Sequence, residues 1–523
     1  MSGSRAAAPD KLERGAMSVM DIVFFVLAGV APMGVVVALT VLAIALGNGA
    51  GVPGTYLIAG IVLALFAIGY VRMSRRVTNA GAFYAYATKG LGHRAGGATA
   101  YIAVLAYNAA TIGILGALAF FANQVMNSVL GIDLPWQAWA AIAFAIVAVL
   151  SYFEVTLSAK VLGLALLCEV SILLAFDLGV LLHNGFHGFS LDVFKPSIVF
   201  GPGFGVTLML AFGSYVGFEA TALYGEEAKN PHKAVPKATY IALAIITGFY
   251  LLTTWAAISA YGVNHAQAAA GADPTGFLFA ANAKYVGGFT TDAMQLLVIT
   301  SLFAAFLAFH CNTARYHYAL ARDGLLPKAL SHTHPKYGSP IIASAVQLAI
   351  VAIVVIAFAI AGQNPYLQMG TAFYGLGVLG IVLLHAIAST AVVGFFLKRK
   401  EPGVSKWGTI IAPALGAIGL TAGLVFMIKY YPTLTGSKEA WINALPWLLV
   451  VAAALGAIVA TVLRNREPAE YQHMGDEPAD LIQGEQRLGE PTPIDQLTPA
   501  STDPPVHSRT EARHSAIGTV ARQ

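Results

Sequence analysis

An all-α polytopic membrane protein of about twelve transmembrane helices is the fold class this sequence predicts, and three observations carry the prediction. Apolar runs of about 18 residues or more, each long enough to cross a hydrocarbon layer, recur from Val19 to about Leu463. Of the 523 residues 57% are hydrophobic and only 11% charged, with a mean hydropathy of +0.70. The charge is also unevenly placed: ten of the 26 acidic residues follow Asn465, so a carboxylate inside an apolar run carries information.

Taken in order, runs bounded by Gly, Pro and charge place spans at about 19–46, 54–72, 95–124, 136–153, 158–182, 204–225, 236–261, 290–315, 340–361, 370–397, 407–430 and 443–464, with two long apolar stretches split to reach that number. The first is too long for a signal-peptide core and is read as a retained helix. An even number of spans puts both termini on one side. Placing them in the cytoplasm assigns 26 Lys and Arg to that side, Lys160 included, and leaves Lys195, Lys284, Lys429 and Lys438 outside. That bias orients membrane proteins and accounts for the net charge of +4 without a nucleic-acid partner. The expected location is the plasma (inner) membrane. The expected organisation is a cytoplasmic N-terminal tail (1–18), a transmembrane domain (19–464) and, where the composition turns polar and proline-rich, a disordered cytoplasmic tail (465–523).

Two spans are interrupted. The first contains Ala28-Gly29-Val30-Ala31-Pro32-Met33-Gly34, and the sixth, five helices later, contains Phe212-Gly213-Ser214-Tyr215-Val216-Gly217-Phe218-Glu219. Glycine weakens a helix and proline removes a hydrogen bond, so each cluster can open the backbone at mid-membrane. Corresponding breaks in the first helices of two five-helix units mark an inverted-repeat transporter; a packing notch or kink is the plainer use of each cluster alone. Half-helix N-termini offer N–H groups to an anion and C-termini offer carbonyls to a cation, which suits a zwitterionic amino acid.

Three stretches resemble the amino acid-polyamine-organocation (APC) superfamily of permeases, over roughly residues 18–464. Tyr215-Val216-Gly217-Phe218-Glu219, with Glu226-Glu227-Ala228-Lys229-Asn230-Pro231 and Pro236, is similar to the family's sixth helix and following loop. Asn79-Ala80-Gly81-Ala82-Phe83-Tyr84-Ala85-Tyr86 with Gly90-Leu91-Gly92 is similar to the loop entering the third helix. Asn312, Arg315 and the run from Tyr318 to Pro327 resemble the cytoplasmic end of the eighth. The resemblance implies a LeuT-type fold: two inverted five-helix repeats (about 19–182 and 204–397) plus two helices (about 407–464), working by alternating access. Carried over by position, it implies solute binding by Val30, Ala31, Met33 and Gly34 in the first helix and by Phe212, Gly213, Ser214, Tyr215 and Gly217 in the sixth. The family's Gly-Ser-Gly element is here Pro32-Met33-Gly34, and Pro32 has no N–H to donate, which points toward an amine or an unusual amino acid.

The carboxylates divide by position. Glu219, just past the second glycine of the break, is a candidate proton acceptor, gate or helper to a cationic group; its structural alternative is a hydrogen bond to the opened backbone. Glu226 and Glu227 lie nearer the cytoplasmic end and suit an ion pair or inner gate, with Lys229 and Arg315 as partners. Glu169 and Asp177 are eight apart in the fifth span, about 80° around a helix and two turns along it. Some proton-coupled relatives carry a lysine where Glu169 stands, so Glu169 is either a coupling residue or one buried against a hydroxyl, and Asp177 is read as solvated. Tyr107 and Asn108 are read as interhelical hydrogen-bonding groups.

Gly201-Pro202-Gly203-Phe204-Gly205 follows no strand and is a loop turn, not a phosphate loop. His183 and His187 flank Asn184-Gly185 and are not read as a metal pair; Cys168 and Cys311 have neither zinc spacing nor reason to pair. No catalytic set stands at supporting positions, so the reading is not an enzyme and calls for no cofactor and no metal. Its partners are a small amino acid or amine, protons and the lipid bilayer; no oligomeric state is assigned. The function expected is secondary active transport of amino acids or related amines, by proton-coupled symport, with an amino acid/polyamine exchanger or a non-transporting solute sensor as the alternatives.

Overall fold

The computed structural model describes residues 15–152, 155–399 and 404–476, with the side chains at 155–162, 165 and 367 excepted. Among the described residues twelve apolar helices follow the expected spans in order. They are α1 (Val19–Leu46), α2 (Gly49–Ser74), α3 (His93–Leu130), α4 (Trp136–Tyr152), α5 (Val155–Gly188), α6 (Phe204–Ala222), α7 (Pro231–Tyr261), α8 (Gly288–Arg322), α9 (Ile341–Ile360), α10 (Gln368–Arg399), α11 (Trp407–Thr435) and α12 (Trp447–Arg466). Eleven are long and apolar enough to cross a membrane; α4 is apolar but shorter. The bundle has no strand among the described residues beyond an isolated bridge between Met17 and Ala228.

The burial pattern suits a lipid solvent. Leu164, Leu182, Ile353, Ile418, Val425, Ile458 and Trp447 are exposed on the outside of the bundle, where an aqueous protein would carry polar residues. Inside, small residues let backbones approach closely. A Cβ added to Gly97 of α3 would lie 2.5 Å from the Gly456 carbonyl of α12, and one on Gly456 would lie 2.0 Å from the Gly97 carbonyl.

α1 and α6 both break. The first half of α1 ends at Val30; Ala31 takes a left-handed conformation (φ 53°) and Pro32 starts the second half, in which Val35–Thr40 is wound as a π-helix. In α6 the helix stops at Tyr215, Val216 is extended (ψ 129°), Gly217 has φ 118°, and Phe218–Ala222 continues only as a 3₁₀ turn. The apolar run places the end of the interrupted sixth span at about residue 225. The chain instead runs on in turns, because Gly217 redirects it and Pro231 opens the next helix.

The end of the bundle that holds Met17 and Asp476, here called the base, is closed by polar contacts. Arg315 of α8 holds Glu227 in a two-pronged ion pair, Nε to Oε2 at 2.6 Å and one terminal nitrogen to Oε1 at 2.8 Å, with both side chains buried. Arg322, one helical stretch lower, holds Glu226 at 2.9 and 3.0 Å, and the Ala80 N–H donates to the same carboxylate at 2.7 Å. Met17, just ahead of α1, exchanges backbone bonds with Glu227 and Lys229. Of the two expected partners Arg315 makes the pair, and Arg322 takes the place considered for Lys229. Part of the region read as a disordered tail is built into this end: Pro468–His473 is helical, Met474 is fully buried, and Asp476 pairs with Lys89. The rest of that tail, and the N-terminal tail to residue 14, lie outside the described residues.

Two predictions follow from this architecture. Gly217→Ala places a Cβ at a positive φ and 3.3 Å from the Val30 side chain, so thermal unfolding in detergent should show a loss of about 1–3 kcal/mol. Glu227→Ala leaves Arg315 buried without its counter-ion and should cost about 3–5 kcal/mol, whereas the double replacement of Glu227 and Arg315 by Met should recover most of that loss in the same assay.

Candidate functional site

A cavity lies where the two breaks face each other. From α1 it is lined by Gly29, Val30, Ala31 and Gly34 and, further along, by Val35, Ala38, Leu39 and Leu42. α6 contributes Met209, Leu210 and Gly213; α3, α8, α10 and α11 complete the wall. Because α1 runs away from the base as its numbering rises, the cavity extends from the breaks toward the opposite end. The centre of a water molecule can reach about 70 Å³ of it. A single water needs about 10–15 Å³ on that measure, so the cavity admits a few waters or a small solute. Its wall is apolar apart from Thr371, Tyr366 and Tyr374, and among the described residues no charged side chain lines it.

The N–H groups that the breaks release from the helices find acceptors within the protein, as hydrocarbon requires. A continuous α6 would give the Gly217 N–H to the Gly213 carbonyl. Instead the Gly217 N–H donates to Glu219 Oε2 at 2.8 Å, and the Gly213 carbonyl accepts the Tyr374 hydroxyl at 2.9 Å. A continuous α1 would give the Met33 and Gly34 N–H groups to the carbonyls of Gly29 and Val30. Here the Met33 N–H points to Glu169 Oε2 at 3.5 Å and the Gly34 N–H donates to the Ser301 hydroxyl at 3.2 Å. The Ser301 hydroxyl in turn donates to Glu169 Oε2 at 2.6 Å. Pro32 contributes no donor. Each break is thus served by one buried carboxylate of the protein.

Glu219 has further partners. The Tyr107 hydroxyl of α3 donates to its Oε1 at 2.8 Å, and Tyr70 donates to its backbone carbonyl at 2.7 Å. His385 of α10 stands with Nε2 3.6 Å from Oε2, too far for a hydrogen bond, and its ring packs against Phe66, Phe83 and Phe218. Glu219 is therefore buried between the break and the α3 and α10 helices, beside the cavity rather than in its wall.

Of the residues assigned to solute binding, the structure brings Val30, Ala31, Gly34 and Gly213 to the cavity wall. The others point elsewhere. The Ser214 hydroxyl shares a hydrogen bond with Tyr56 at 2.8 Å, and the Tyr215 hydroxyl donates to the Tyr56 carbonyl at 3.0 Å, so both face α2. Phe212 lies against Gly423 of α11, Met33 is fully buried, and Gly217 supplies backbone alone. Asp177, read as solvated, is buried with one oxygen accepting from Thr253 at 2.8 Å. Glu226 and Glu227 are held at the base, away from the cavity. The sequence reading missed Ser301, Tyr366, Thr371, Tyr374 and His385. An ionisable histidine inside an apolar run was the available signal for His385, and polar residues three apart for Thr371 and Tyr374.

A family model for amino acid permeases matches residues 17–454. The chain is 25% identical over 390 residues to the low-affinity putrescine importer PlaP of Escherichia coli K12, covering 72% of this chain and 80% of that protein. It is 28% identical over 331 residues to the branched-chain amino acid permease BcaP of Lactococcus lactis subsp. cremoris, covering 59% and 69%. To the methylthioribose transporter of Bacillus subtilis it is 25% identical over 430 residues, covering 78% and 85%. The family match takes in both helix breaks, the cavity wall and the ion pairs at the base, and this chain belongs to the amino acid permease family of the APC superfamily.

Proposed function

We propose that this chain is a secondary active transporter that moves an amino acid or related amine across the plasma membrane by alternating access, in symport with protons. The observation that carries the reading is a solute-sized cavity at two opposed helix breaks, shut off from the base by one buried and one partly buried ion pair. The bias of Lys and Arg toward the side of the termini supports reading the base as the cytoplasmic side, and in that reading the cavity lies on the outer side of the closed base. The named relatives, which include a putrescine importer and a branched-chain amino acid permease, support the solute class.

In this reading solute enters from the outer side and rests against the open backbone of α1 and α6. Inward release requires the first half of α1 to swing about Ala31, which parts Met17 from Glu227 and opens the Glu227–Arg315 and Glu226–Arg322 pairs. Glu219 joins the break in α6 to α3 through Tyr107, so protonating it loosens its hold on the Gly217 N–H and links a proton to the motion.

Uptake of labelled amino acids and amines into proteoliposomes, with and without an inward proton gradient, tests the proposal. Saturable uptake that rises with the gradient is expected. Uptake seen only with preloaded solute would make the chain an exchanger, and binding without flux would make it a sensor. Glu219→Gln, which keeps an acceptor for the Gly217 N–H but no titrating group, should flatten the pH profile of uptake; an unchanged profile would remove Glu219 from proton coupling.

A further inference from the structure

The amides that a helix break exposes are natural seats for a solute carboxylate. In α1 of this chain they are already taken. Pro32 has no N–H, Met33 is directed to Glu169, Gly34 is bonded to Ser301, and Ser301 is bonded to the same Glu169 oxygen. In α6 the Gly217 N–H is taken by Glu219. The two carboxylates stand behind the break backbone, outside the cavity wall, and among the described residues no Lys or Arg lines that wall. Arg315 is held by Glu227 at the base.

The same rearrangement has a second effect. Because the Met33 and Gly34 N–H groups turn away, the carbonyls of Gly29 and Val30 lose the partners that a continuous helix would supply, and both residues line the cavity. They close the C-terminal end of a half-helix, which carries partial negative charge and attracts a cation. Beyond them the wall is Leu39, Leu42, Met209, Leu210 and Leu302, which receives an apolar body and gives a second ammonium no counter-ion.

We infer that Glu169 occupies, from within the protein, the place a solute carboxylate would take at the α1 break, so that this chain selects a carboxylate-free amine with an apolar body over the matching α-amino acid. The inference rests on the transport reading above and narrows its solute class. Discrimination works by exclusion as well as attraction: an incoming carboxylate finds no free α1 amide, whereas an ammonium meets released carbonyls.

The test is binding of matched pairs to the purified full-length chain in lipid nanodiscs: 3-methylbutylamine against leucine, and 2-phenylethylamine against phenylalanine. The wild-type chain is expected to bind each amine at least tenfold more tightly than its parent amino acid. Glu169→Ala frees the Met33 N–H and should cut that preference at least tenfold, chiefly by tighter amino acid binding. Glu169→Gln keeps an acceptor at the same place and should retain more of the preference than Ala does. Equal or tighter binding of the amino acids by the wild-type chain would overturn the inference and leave the transport reading standing. A preference unchanged in a monodisperse Glu169→Ala variant would also overturn it; if that variant does not fold, the wild-type ratios and Glu169→Gln decide. Failure of all four compounds to bind would overturn the inference, and the uptake panel above would then decide the transport reading separately.

Discussion

A backbone amide in hydrocarbon must find its acceptor inside the protein, and the two places where this chain opens its helices depend on two carboxylates to supply one. Glu219 reaches back two residues to the Gly217 N–H, and Glu169 crosses from α5 to the start of the second half of α1. Neither break is a loop in the ordinary sense. Each is a short run of irregular backbone whose polar groups are met by side chains from neighbouring helices, Ser301 of α8 and Tyr374 of α10 among them. Removing a carboxylate would strand a buried donor, so the site and the stability of the bundle are coupled at the same atoms.

The base solves a different problem with the same chemistry. A buried Arg–Glu pair adds little net stability, because desolvating both ions offsets much of their attraction, yet breaking it is costly. One such pair, Arg315–Glu227, and a second, partly exposed one, Arg322–Glu226, join the loop after α6 to α8, and Met17 joins the chain ahead of α1 to the same loop. A closure built this way holds while its partners are aligned and adds little to the cost of rearranging the bundle once they are exchanged for water. Packing by leucines alone would lack that geometric specificity. The close glycine crossing of α3 and α12 is held instead by backbone approach at Gly97 and Gly456.

The legible part of this architecture was written in residues that act locally. Helix spans followed from apolar run length, and the breaks from Pro32, Gly213 and Gly217, because proline and glycine change the backbone wherever they stand. Glu227 and Arg315 could be paired because carboxylates are scarce within the spans. The cavity wall was not legible in the same way. Ser214 and Tyr215 carry the family pattern but turn toward Tyr56, while Tyr374 and Leu302, far away in sequence, form the wall. Which face of a broken helix meets the cavity is set by how the other helices pack, and no local period encodes it. The short 3₁₀ continuation of α6 was missed for a related reason, since the apolar run alone continues past the point where Gly217 turns the chain.

Ala31 shows how the α1 break is organised. It is one of two described non-glycine residues with positive φ, and left-handed backbone costs an L-residue about 1–2 kcal/mol. A glycine there would remove the strain but would also let the break sample many directions. Alanine followed by proline narrows the choice, because Pro32 fixes its own φ and restricts the residue before it. The strained conformation persists because its surroundings determine it: Ala31 donates to the Ala28 carbonyl, Val35 donates to Ala31, and the Met33 and Gly34 amides are held by Glu169 and Ser301. A pivot of this kind stores a small amount of strain that any rearrangement of Glu169 or Ser301 would release, which places the two side chains that hold the amides in control of the backbone that faces the cavity.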